Sequence, residues 1–183
     1  LISKFEHLSV RDTSTHELVK EVSDIEASLV CDPAFFALDN NLIKKSNLIK
    51  NYLNLKVGIY GHEKVFKPII NSYSKVFENA NISSFTYRKR IDYLLRFHEQ
   101  LNDPLNIIKS FQKKDFVLTN TFHGIIIALI TKKPFLAITS KNLYSRIELY
   151  QCYFSKKRIL KEENFSINKL DFKFLLGTED INY

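Results

Sequence analysis

Residues 115–138 read DFVLTNTFHGIIIALITKKPFLAI, and the way this stretch divides decides the fold. DFVLT (115–119) is a continuous apolar run, too short for a helix, and reads as a buried strand. FHGIIIALI (122–130) is apolar on nearly every side, so a helix there is buried rather than laid on a surface. Lys132, Lys133 and Pro134 close it, and PFLAIT (134–139) reads as a second buried strand. Two continuously apolar strands joined through a buried helix make the crossover unit of a parallel sheet.

Working outward, the same alternation recurs. KVGIYG (56–61) is a buried strand ending in glycine, EKVFKPIINSYSKVF (63–77) a helix with Pro68 near its first turns, and ISSFTY (82–87) a strand. RIDYLLRFHEQL (90–101) has an amphipathic helical period, and DPLNIIKSFQKK (103–114) a helix opened by a capping aspartate and Pro104. YSRIELYQCYF (144–154) and SINKLDFKFLL (166–176) read as helices. On the amino-terminal side, HLSV (7–10) is a short strand. RDTSTHELVKEV follows as a helix capped at Thr13 or Ser14, with Glu17 as a capping-box partner, or capped by Asp12. ASLVC (27–31) is a strand stopped by Asp32-Pro33, and DNNLIKKSN (39–47) a polar linker. The expected class is α/β, a doubly wound and mostly parallel Rossmann-like sheet.

Composition narrows the function classes. Hydrophobic residues are 45% and charged residues 26% of the 183, which suits a globular core and argues against disorder. The longest apolar run, Gly124 to Ile130, falls far short of the ~20 residues that span a bilayer. LISKFEHLSV lacks the pattern of a secretory signal. The chain opens on Leu1 and has no methionine, so it reads as the later part of a longer polypeptide. Cys31 and Cys152 form no CxxC and are expected as free, buried thiols in a reducing compartment, the cytoplasm. The net charge of +7 favours anionic partners. Its basic residues are spread without a block, so nucleic acid is not the expected one.

In open α/β sheets ligands bind beyond the carboxyl ends of the strands. Those ends carry Arg11-Asp12, Asp32-Pro33, Gly61-His62 and Asn120-Thr121-Phe122-His123-Gly124. His123 is the candidate catalytic residue: an imidazole at a helix mouth can donate to an anion or move a proton near neutral pH. Asn120 or Thr121 can cap the buried helix, whose first amides form an anion site. Gly124 removes a side chain where a ligand or a backbone would approach. Arg11 offers a guanidinium shaped for carboxylate or phosphate. Gly61, His62 and Lys141 complete the candidate substrate-binding set. The plain structural readings stand beside these: a packing histidine and glycine, an Arg11–Asp12 surface pair, a solvated Lys141. No GxGxxG, GxSxG, HExxH or Walker A motif occurs, and the histidines are scattered, so no metal is expected.

Three pieces in order resemble the polysaccharide pyruvyl transferase family: LSVRDTSTHELV (8–19), SLVCDPAFFAL (28–38) and DFVLTNTFHGIIIALITKKPFLAI (115–138). The resemblance implies a two-domain arrangement similar to GT-B glycosyltransferases with the active site between domains. Residues 1–42 would then be a remnant of the N-terminal Rossmann-like domain and 43–183 the C-terminal one. It implies His123 as active-site histidine and Arg11 as an anion-holding arginine. Several family members carry an arginine two residues before the histidine; Thr121 stands there in this chain. The implied reaction is transfer of a pyruvyl group from phosphoenolpyruvate, as co-substrate without other cofactor, to a sugar in exopolysaccharide or capsule biosynthesis. The acceptor would be lipid- or nucleotide-linked, with at most peripheral membrane contact, placing the enzyme at the inner face of the cell membrane. Two alternatives share the architecture: a GT-B-type glycosyltransferase using a nucleotide sugar, and a non-catalytic basic α/β binding module.

Overall fold

The computed structural model describes residues 5–33, 54–86, 98–100, 103–162, 170–177 and 181. Among the described residues, eight strands fall into two sheets. β1 (Leu8–Val10) and β2 (Ala27–Leu29) pair in parallel around α1 (Thr13–Val22). The larger sheet holds β3 (Lys56–Tyr60), β4 (Asn81–Thr86), β5 (His98–Gln100), β6 (Phe116–Thr119), β7 (Phe135–Thr139) and β8 (Ile159–Lys161). Its order is β5-β4-β3-β6-β7-β8, and every neighbouring pair is parallel. Numbered within this sheet, that is 3-2-1-4-5-6, the doubly wound Rossmann order. The chain winds outward in both directions from β3 and β6, so the crevice between their carboxyl ends is the topological switch point.

Alternation along the strands fills both faces. Phe116 and Leu118 of β6 join Val57, Ile59, Leu136 and Phe172 in one core. Val117 points the other way, into a core with Phe111, Ile125, Ile126 and Phe135. α4 (Pro104–Gln112) and α5 (Phe122–Ile130) cover this second face. α5 has the bounds its sequence predicts, and Ile125 and Ile126 are fully buried. Each such side chain contributes about 1.5–3 kcal/mol by leaving water.

Several elements depart from expectation. His98 to Gln100 form β5, paired with Ser84 to Thr86, where a helix over 90–101 is predicted; the sheet edge offers these three residues backbone partners that outweigh a helical period. The rest of that helix, the RKR cluster and the 39–47 linker lie outside the described residues, as does the expected domain boundary at 42/43. The helix predicted over 63–77 breaks into a 3-10 turn (Glu63–Val65), α2 (Lys67–Ser72) and α3 (Ser74–Phe77). Tyr73, between the last two, leaves helical geometry at φ −110° and ψ 38°. α6 (Lys141–Ile147) begins before the predicted start and passes into a 3-10 segment at Glu148–Tyr153. β8 was not foreseen. α7 (Phe172–Leu176) starts at its Asp171 cap, shorter than SINKLDFKFLL suggests. Cys31 and Cys152 are exposed free thiols, not buried ones.

Of the caps the sequence offers, α1 opens on Asp12 and not on Thr13 or Ser14. The Asp12 Oδ1 accepts from the Thr15 N–H at 2.8 Å and from the Ser14 and Thr15 hydroxyls at 2.7 Å each. A carboxylate satisfies more orphan donors than a hydroxyl can, so it wins the cap. α1 packs against α6, and the Asp32 N–H donates to the Tyr150 hydroxyl at 2.7 Å, joining the small sheet to the large one.

Candidate active site at the sheet crest

Tyr60 and Thr119 are register partners at the ends of β3 and β6. The Thr119 hydroxyl donates to the Tyr60 carbonyl at 2.8 Å. One residue on, the Asn120 Oδ1 accepts from the His62 N–H at 2.9 Å. Gly61 sits at φ +130°, and a Cβ there would overlap the Asn120 amide oxygen. These hydrogen bonds stitch together the two turns that frame the switch point. Thr121 caps α5 by accepting from the Gly124 N–H at 3.0 Å. A Cβ on Gly124 would overlap the Thr119 hydroxyl, so this glycine is what lets the buried helix leave its strand so closely.

This tight exit lifts His123 out of the core. Phe122 is buried while the His123 ring is exposed, edge-on to Phe122 with centroids 5.6 Å apart. Partial desolvation lowers its pKa, Arg11 and Arg146 lower it further, and Asp32 opposes them. The ring is therefore neutral at pH 7, and an arriving anion would favour its protonation.

Arg11 leaves the end of β1 and its Nη1 donates to the Asp32 Oδ2 at 2.7 Å. Its side chain is 42% exposed and that of Asp32 only 5%. The carboxylate thus lies inside and holds the guanidinium toward the surface, so Asp32-Pro33 does more than end a strand. Arg11 does not pair with Asp12, which serves the helix cap. Burial raises the Asp12 pKa, but hydrogen bonds from Ser14 and Thr15 and the nearby Arg146 bring it below the usual carboxylate value.

The guanidinium carbon of Arg11 lies 5.7 Å from the Phe122 ring centroid and that of Arg146 4.8 Å. Both line an open groove of about 760 Å³ with Asp12, Ser14, Val30 and Pro33. The structure therefore gathers Arg11, His123, Asn120, Thr121 and Gly124 around the start of α5. Gly61 and His62 sit across the β3–β6 crevice. Lys141 is exposed at the start of α6, on the same crest but without a described contact to His123. Sequence reasoning missed Arg146; its one signal was a helix leaving the carboxyl end of β7, a position the crest rule covers if followed past its first turn.

The arrangement offers guanidinium donors along a groove, with the start of α5 and a neutral imidazole near them through the shared Phe122 ring. Such a set binds an anion and can pass a proton to it. Among the described residues no group of three or more His, Cys, Asp or Glu could hold a metal ion, and no helix is long and apolar enough to cross a membrane. A family model described as polysaccharide pyruvyl transferase matches residues 1–142, a stretch that takes in both sheets' crest residues up to the first turn of α6. No curated protein matches the chain.

Proposed function

The chain belongs to the polysaccharide pyruvyl transferase family, and from that premise we propose that it transfers a pyruvyl group from phosphoenolpyruvate to a sugar of a cell-surface polysaccharide. The observation that supports this most is His123 on the mouth of α5, beside the carboxylate-held guanidinium of Arg11. Phosphoenolpyruvate carries a carboxylate and a phosphate, and both call for cationic donors.

In this reading Arg11 and the first amides of α5 bind the anionic groups. His123, protonated once the anion has arrived, gives its proton to the methylene carbon. The enol phosphate becomes an oxocarbenium-like centre that one sugar hydroxyl attacks, its proton passing back to the imidazole. A second hydroxyl then displaces phosphate, which leaves with that hydroxyl's proton, and the cyclic ketal closes. Two hydroxyl protons are released; one resides in the new methyl group and one on phosphate. Gly61, His62 and Lys141 face the acceptor side. Residues 1–42 and 43–183 belong to two Rossmann-like domains that flank the reaction, and a lipid-linked acceptor puts it at the inner face of the membrane.

Calorimetric titration of phosphoenolpyruvate into the protein, His123→Ala and Arg11→Ala tests the reading, together with phosphate release on adding sugar diols. Saturable binding is expected, weakened most by Arg11→Ala, with phosphate release lost in His123→Ala. Binding of a nucleotide sugar in place of phosphoenolpyruvate would instead make the protein a glycosyltransferase. Binding of neither by the folded protein would leave the non-catalytic module.

A further inference from the structure

We infer that Arg146 is a second anion-holding residue of this groove, gripping a carboxylate or phosphoryl group opposite the one held by Arg11. The inference rests on the donor reading above only for the identity of the anion. Arg146 lies outside residues 1–142 that the family model matches, so its assignment comes from geometry.

Arg11 and Arg146 share the Phe122 ring but differ in what their N–H groups do. Arg11 has committed one nitrogen to Asp32. Arg146 makes no hydrogen bond or ion pair among the described residues. A ring contact uses the face of a guanidinium and leaves its five edge donors unengaged. Stacking at 4.8 Å therefore restrains Arg146 without satisfying it, which lowers the ordering cost of binding an anion.

Two aspartates stand beside these guanidiniums, Asp12 in the groove lining and Asp32 behind Arg11, and their placement decides the groove's polarity. Asp32 and Asp12 are 3% and 7% exposed. Asp12 has its Oδ1 occupied by three donors of α1, and Asp32 holds Arg11. Both carboxylates are buried, whereas the Arg11 side chain is 42% exposed and Arg146 is half-buried on the groove, so the charge the groove offers to solvent is mostly guanidinium. A planar two-oxygen anion fits such a fork better than a halide or a neutral hydroxyl does.

The test is calorimetry with phosphoenolpyruvate, inorganic phosphate and a nucleoside diphosphate, on the protein and on Arg146→Gln, Arg146→Lys and Lys157→Gln. Lys157 is the control: it stacks on Phe174 at 5.1 Å just before β8, at the opposite end of the sheet, and its loss removes the same charge. Thermal unfolding checks that each variant folds. We expect Arg146→Gln to weaken phosphoenolpyruvate binding tenfold or more, Arg146→Lys to fall between, and Lys157→Gln to stay within twofold. Equal affinities for Arg146→Gln and Lys157→Gln would overturn the inference and leave the donor reading intact. Tenfold weaker nucleoside diphosphate binding, with no phosphoenolpyruvate binding in any form, would uphold Arg146 and overturn the donor. Failure of the folded protein to bind any of the three anions would overturn both.

Discussion

Arg146 at the crest and Arg158 at the opposite end of the same sheet both lie against phenylalanine rings. Arg158 is fully buried. Its Nη1 donates to the carbonyls of Phe135 at 3.2 Å and Leu175 at 2.8 Å, and its Nη2 to that of Gly177 at 2.6 Å. It fastens the end of α7 to the amino ends of β7 and β8. Arg146 lies over a phenylalanine ring too, that of Phe122, and has none of those bonds among the described residues. The difference teaches that a stacked guanidinium reveals its role through its edge: engaged with carbonyls it is a fastening, unengaged above a groove it is a receptor.

The sharpest way to break this comparison is to remove Arg158. Arg158→Ala leaves three carbonyls without that donor, and each buried unsatisfied group costs about 1–3 kcal/mol. We expect a loss of roughly 3 kcal/mol or more in chemical denaturation, with unfolding of α7 early in hydrogen exchange. Next in size is Gly124→Ala, whose Cβ would overlap the Thr119 hydroxyl; overpacking of this kind costs about 1–3 kcal/mol. That variant should also disturb His123, so anion binding and melting temperature should fall together.

Arg146→Ala should cost only about 0.5–1 kcal/mol, the worth of an exposed cation–π contact. A loss as large as that of Arg158→Ala would erase the distinction between the two arginines. The smallest expected effect is on pH dependence. The folded His123 has a lowered pKa, so it binds a proton less readily than in the unfolded chain. Stability should therefore fall as pH drops from about 7 through the unfolded value near 6.5 and level off below the folded pKa. In His123→Asn the denaturation midpoint should vary less over that window.

The legible parts of the molecule were those where several local signals agree. For α5, the buried period, the Thr121 cap and the following Lys-Lys-Pro all point one way, and its bounds match. β5 and β8 had three residues each and no apolar alternation, so only their neighbours in the sheet define them. The crest position of His123 followed from topology rules alone. The role of Asp32 did not, because its partners, Arg11 and Tyr150, lie 21 and 118 residues away. Arg146 was hidden for the same reason: its meaning comes from Phe122 of another helix. Gly61 was legible as special, but the Asn120 side chain that requires it became visible only in three dimensions.

The central ladder of the large sheet joins β3 to β6, and the bond that closes its upper end, Thr119 to Tyr60, spans 59 residues. Ribosomes add ~5–20 residues per second, so roughly 3–12 seconds separate the emergence of these partners. During that interval β3 and β4 can pair, but the apolar edge of β3 waits uncovered for β6. Because His123 follows four residues after Thr119, the strand that shields this edge also delivers the imidazole. A nascent chain therefore gains its crest imidazole in the same event that covers this edge, and a pause in translation before residue 116 would leave it with neither.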